Sequence, residues 1–250
     1  MNSSSSQSHQ WQGIFLIIIG AFCFSSAILF TRLTEGLSVM SIAFFRALFA
    51  SLFLSLLLIR CREPLHLSTY RSSLKLLIAL GLTVSITVTL YTYAIQHTTA
   101  ANAALLVNSA PIYVAVLAPL LLHEARARYT WLSLGLATIG ITCVSDPGKL
   151  SLEASSWSGL VAGALSGFTY AIVLLLGRGL RGRVSGITQT LWSAGITATV
   201  LFPWALQSSP HMVKSNLPVL IPLGIFSLAL SYLFYFAGLQ RVSAQVVRVV

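Results

Sequence analysis

The chain has 250 residues, of which 56% are apolar and only 8% charged, with a mean hydropathy of +0.85. A soluble domain carries about a quarter charged residues, so this composition cannot clothe a water-facing surface. A net charge of +10 would point to nucleic acid in a soluble protein. Here the arginines stand in short loops between apolar blocks, where they set membrane orientation, and no nucleic-acid partner is expected.

The apolar blocks are about 20 residues long, enough to cross ~30 Å of hydrocarbon as helices. They lack the alternation of barrel strands, so the reading is all-α integral membrane. The opening MNSSSSQSHQWQ has no Lys or Arg and leads into a long apolar run. It lacks a signal peptide's basic start, and the first span is expected to be retained. In chain order the predicted spans are 13–31, 37–59, 74–96, 99–122, 129–145, 157–177, 185–206 and 217–239, with a ninth beginning near Val242. Loops on one side hold Arg60, Arg62, Arg71, Lys75, Arg126, Arg128, Arg178, Arg181, Arg183 and Arg241; loops on the other hold Arg32, Lys149 and Lys214. Basic loops face the cytoplasm, which predicts a cytoplasmic N-terminus in a bacterial-type cytoplasmic (inner) membrane.

Two stretches repeat. WQGIFLIIIGAFCFSSAILFTR aligns with WSGLVAGALSGFTYAIVLLLGR, pairing Trp11 with Trp157, Phe22 with Phe168 and Arg32 with Arg178. YTYAIQHTTAA aligns with YFAGLQRVSAQ, pairing Tyr91 with Tyr235 and Gln96 with Gln240. Five spans, an odd number, separate the copies, so the second enters the membrane from the opposite side, as in many secondary transporters. Ten helices are expected from two five-helix units, of which eight and the start of a ninth are present. A counterpart of residues 107–145 would add about 40 residues, so the chain is read as C-terminally shortened, with a natural nine-span variant as the alternative.

The stretch YAIQHTTAANAALLVNSAPIYVAVLAPLLLHEARARYTWLSLGLATIGITCVSDP resembles the EamA-type repeat of the drug/metabolite transporter superfamily. The resemblance rests on a short turn, small residues Ala100 to Ala104, Pro111, Glu124 at the helix end, then Gly135 and Gly140. It covers most of 13–250, with a first repeat at 13–146 and an incomplete second at 157–250. It implies an inverted five-plus-five bundle and a central cavity lined by spans one, three, four, six, eight and nine. It further implies alternating-access transport of small metabolites such as amino acids, related compounds or drugs. Export is the expected direction; uptake, or a transport-inactive scaffold or regulatory remnant, are the alternatives.

Arg46 lies deep in the second span, roughly 14 Å from its nearer end. An ionisable group there marks a functional site by default; it meets either a substrate carboxylate or helix carbonyls. The acidic residues Glu35, Glu63, Glu124, Asp146 and Glu153 all fall at span ends or in loops, so no mid-membrane carboxylate relay is expected. Glu124 suits pairing with Arg126 or Arg128, or capping of the following helix. The substrate-lining candidates are Arg46, Tyr91, Asn108, Pro111, Tyr170, Trp192, Tyr232 and Tyr235. Asn108 needs a partner in hydrocarbon, and Pro111 frees a carbonyl that a cavity or neighbour must satisfy. Gln189 is a further lining candidate; Ser25, Ser26, Thr87 and Ser231 are weaker ones, because a hydroxyl in a helix bonds its own preceding turn. Gly159, Gly163 and Gly167 form a smooth stripe for close helix packing. Trp11, Trp131, Trp157 and Trp204 read as interfacial anchors. Cys23, Cys61 and Cys143 have no metal-ligand spacing, no pair of His, Asp or nucleophile marks an enzyme, and no metal or other cofactor is expected. The partners expected are a small-molecule substrate and the lipid bilayer.

Overall fold

The computed structural model describes residues 3–61, 71–121, 135, 139, 157–180, 182–235 and 237. The fifth and ninth predicted spans, apart from positions 135 and 139, lie outside the described residues. So do Glu63, Glu124, Arg126, Arg128, Trp131, Gly140, Cys143, Asp146 and Glu153.

The described residues form helices and no strands. They are α1 (Ser3–Arg32), α2 (Val39–Cys61), α3 (Leu74–His97), α4 (Ala100–Val107), α5 (Ala110–Leu121), α6 (Trp157–Gly179), α7 (Gly186–Ala205) and α8 (Pro210–Gly224). A π-helical turn, Ile225–Leu230, continues α8, and helix resumes over 231–235. Six stretches are long and apolar enough to cross a membrane: Trp11–Arg32, Val39–Arg60, Leu74–His97, Ala100–Leu117, Trp157–Gly179 and Pro210–Tyr235. α7 is more polar than these and turns that polarity inward, burying Thr188, Gln189, Thr190, Ser193 and Thr197.

The helices pack through small residues, as expected where lipid removes the hydrophobic drive for association. Ala43, Ala47, Ala50 and Leu54 make a fully buried stripe along α2. Its lower part meets Ala194 of α7 and Leu228 and Ala229 of the π turn. α3 runs against α6 and α7, α2 against α7, and α1 against α8 and its π turn. Large apolar side chains point outward instead, Phe15 at 63% exposure and Phe22 at 79% among them. That outer coat suits acyl chains rather than water.

Two local breaks interrupt the regular helices. The fourth predicted span is interrupted at Asn108 and Ser109, and α5 restarts at Ala110 with Pro111 in its first turn, where a missing N–H costs nothing. The second break is the π turn after Pro222, where a widened ring loosens the carbonyls from the regular ladder.

At the end of the bundle where α1 finishes, side chains tie the connections together. Asn216 of α8 accepts from the Glu35 N–H at 3.1 Å and donates to the Glu35 carbonyl at 3.0 Å. Ser41 donates to the Trp204 carbonyl at 3.2 Å and accepts from Ser208 at 2.7 Å. Gly36, at φ 69°, takes the left-handed conformation that the tight α1–α2 turn requires.

Candidate functional site

Arg46 sits seven residues into α2, about 10 Å along the helix from its start, and is 1% exposed. Nη2 donates to the Ser227 carbonyl in the π turn at 3.1 Å. Ser227 lies within the π turn, a kind of helix break that recurs at functional sites. The Ser227 carbonyl also accepts from the Ser231 hydroxyl at 3.0 Å, while the Ser227 hydroxyl donates back to the Leu223 carbonyl. Gly224, at the start of the turn, lets α8 approach closely: a Cβ there would stand 2.7 Å from the Arg46 carbonyl oxygen.

The other two guanidinium nitrogens, Nε and Nη1, are buried without a hydrogen-bond partner. An orphaned buried donor costs about 1–3 kcal/mol, and more when charged. Glu35 is the one carboxylate side chain among the described residues, and it sits in the α1–α2 connection. Of the two readings of Arg46 offered by the sequence, the bond to a helix carbonyl is the one seen, and two nitrogens are left over.

Aromatic side chains from three further helices gather at this charge. Tyr91 of α3 and Tyr232, just past the π turn, lie within electrostatic range of it. Tyr170 of α6 shares a hydrogen bond with Tyr232. Tyr235 lies within electrostatic range of Tyr170, Tyr232 and Arg178. Phe24 of α1 stacks on both Tyr91 (centroids 5.8 Å apart, planes at 12°) and Tyr170 (6.0 Å, 14°). Arg46, Tyr91, Tyr170, Tyr232 and Tyr235 are thus brought together, and Phe24 joins them. The sequence reading missed Phe24, because a phenylalanine facing the bundle interior looks the same as Phe22 facing lipid. Its one signal was position: Phe24, Ala27 and Thr31 share a helix face.

Trp192 of α7 packs beside the largest apolar cluster, against which Tyr170 also leans. Asn108 and Pro111 flank Ala110, whose apolar cluster Tyr170 packs against. Both are exposed, and the Asn108 amide donates to its own helix's Ala104 carbonyl at 2.8 Å. Ser25, Ser26, Thr87 and Ser231 all bond carbonyls three or four residues back, as expected of helical hydroxyls. Gln189 is buried, donating to the Val184 carbonyl at 3.0 Å.

One to two helical turns beyond the aromatic group, an open pocket of about 750 Å³ is lined by Thr31, Arg32, Thr34, Ile95, Gln96, His97, Thr98 and Thr99. Thr31 lies on the Phe24 face of α1 and Ile95 on the Tyr91 face of α3, so the pocket stands over the stack. Arg32 crosses its wall, donating to the Thr98 carbonyl at 2.7 Å. The His97 ring stacks on Tyr93 with centroids 3.8 Å apart.

The glycine stripe of α6 does what its spacing suggests. A Cβ on Gly159 would lie 2.6 Å from the His97 carbonyl oxygen, one on Gly163 would lie 2.7 Å from Leu106 Cδ1, and one on Gly167 would strike the Leu106 carbonyl. α6 therefore lies backbone to backbone against the end of α3 and against α4.

Known proteins resemble the chain over most of its length. An uncharacterized transporter of Archaeoglobus fulgidus is 30% identical over 229 residues, covering 92% of this chain and 78% of that protein. Uncharacterized transporters of Helicobacter pylori strains J99 and 26695 are 29% identical over 171 residues; the alignments span 68% of this chain and 56% of those proteins. A solved structure described only as a crystal structure of protein shares the fold, with a TM-score of 0.67 at 15% identity, over 94% of this chain and 80% of its own. The EamA-like transporter family model matches residues 11–146 and again 157–250. The chain belongs to the EamA-like transporter family and is a multi-pass membrane protein.

Proposed function

We propose that this protein is a secondary transporter that exports small metabolites, such as amino acids, related compounds or drugs, across the cytoplasmic membrane by alternating access. The observation that carries the reading is the Arg46 group. An Arg, four tyrosines and a phenylalanine converge from α1, α2, α3, α6 and the α8 extension, so both matched segments of the chain contribute to one interior polar site. Sites at the junction of two repeats are where secondary transporters hold substrate.

The helix contacts support an inverted repeat of two units, 13–146 and 157–250, within a ten-helix arrangement. Exchanging the units turns the α3–α6 contact into that of the α8 extension with α1, and leaves α2–α7 paired with itself. The pocket above the aromatic stack is the natural opening on one side. With the basic loops in the cytoplasm, that opening faces outward.

Direction is tested by measuring a metabolite pool in intact cells and in everted vesicles made from them. Export predicts depletion of the cells and accumulation in energised everted vesicles when the protein is expressed. Accumulation in intact cells instead would establish uptake.

A further inference from the structure

We infer that the substrate is a net-anionic planar metabolite, an aromatic or similarly flat carboxylate, held by Arg46 against the Phe24 stack. The inference rests on the transporter reading above and narrows its metabolite class, away from zwitterionic amino acids and toward related net anions.

The charge balance comes first. Arg46 is almost fully buried with Nε and Nη1 unpartnered, and the single described carboxylate, Glu35, is held in the α1–α2 connection beside Asn216. A buried cation is stable when an opposite charge and hydrogen-bond acceptors meet it. A carboxylate provides both, because its oxygens accept from the fixed guanidinium plane and cancel the charge. The ionisable groups named beside Arg46, Tyr91 and Tyr232, are neutral phenols, which offer no countercharge to the ammonium of a zwitterion. A net anion therefore fits this site better than an amino acid or a cation.

Shape comes second. Phe24, Tyr91 and Tyr170 hold nearly parallel rings, and offset stacking favours a flat π-face over a branched aliphatic chain. Tyr91 belongs both to that stack and to the electrostatic surroundings of Arg46, so the anionic head and flat body are recognised by adjoining groups.

The test uses the full-length protein in lipid nanodiscs and four matched probes: 3-phenylpropionate, its neutral amide, phenylalanine, and hexanoate as the aliphatic carboxylate. Binding is read by calorimetry and by the shift in unfolding temperature. The expected order places phenylpropionate about tenfold or more ahead of its amide, with phenylalanine and hexanoate also weaker. Arg46→Gln is expected to erase the preference for carboxylate over amide. Phe24→Leu is expected to narrow the gap between phenylpropionate and hexanoate while keeping the carboxylate preference. Equal binding of the amide, tighter binding of phenylalanine, or no carboxylate binding at millimolar concentration overturns the inference. The wild-type series decides this alone if Arg46→Gln does not fold. Carboxylate binding without flux in proteoliposomes would uphold the ligand class and remove the transporter reading. Flux of a cation or zwitterion unaffected by these carboxylates would do the reverse.

Discussion

Gly224→Ala adds a single methyl group at the place where α8 bends into its π turn. That methyl carbon would stand 2.7 Å from the Arg46 carbonyl oxygen, 2.7 Å from Phe49 Cβ and 3.0 Å from the Ala50 nitrogen. Two of the three atoms are backbone, so relief requires α8 to move away from α2 rather than a side chain to rotate. Overpacking of this kind costs about 1–3 kcal/mol. The same movement lengthens the 3.1 Å bond from Arg46 to the Ser227 carbonyl three residues on, and a hydrogen bond from a charged donor is worth about 1.5–3 kcal/mol. A loss of about 2.5–6 kcal/mol is expected from the two effects together, read as a lower unfolding temperature in nanodiscs. Gly195→Ala is the control: Gly195 lies within α7, and an added Cβ meets nothing within 4 Å. Removing a helical glycine there is expected to be neutral or to stabilise by up to about 1 kcal/mol. If Gly224→Ala is no worse than Gly195→Ala, the close approach of α8 to Arg46 is wrong, and with it the pinning of Ser227.

Gly167→Ala should destabilise by about 1–3 kcal/mol, and by more than Gly163→Ala, since the obstacle at Gly167 is the Leu106 carbonyl whereas at Gly163 it is the movable Leu106 side chain; comparative thermal unfolding decides. Asn216→Ala removes both bonds to Glu35 and is expected to cost about 1–3 kcal/mol. Ser25→Ala removes a bond to Ala21 at an exposed position and should stay within about 0.5 kcal/mol; equal losses for the two would refute the tie between the α1–α2 connection and α8.

Much of the bundle was legible because membrane insertion writes itself into composition. Long apolar runs allow one backbone solution, and an arginine inside one stands out against hydrocarbon. Arg46 and the mid-span tyrosines were therefore visible in the sequence. Phe24 was not, because only tertiary contacts separate it from lipid-facing Phe22. Asn108 carried an ambiguous signal: its amide needed a partner, and a carbonyl one turn back in its own helix supplied it. The π turn left a partial trace in Pro218 and Pro222, which predict an irregular helix but not where a widened ring follows. The carbonyl it turns toward Arg46 is a backbone feature, invisible to any reading of side-chain types.

Whether the Arg46 group holds the substrate of a transporter is best decided by counterflow in proteoliposomes, because no coupling ion need be known. Vesicles loaded with a candidate carboxylate are diluted into its labelled form. Accelerated uptake of label is expected for the wild type, reduced about tenfold or more by Arg46→Gln in protein that keeps a cooperative unfolding transition. Full counterflow in the Arg46→Gln variant, or none in the wild type with any small metabolite, would contradict a substrate site at Arg46.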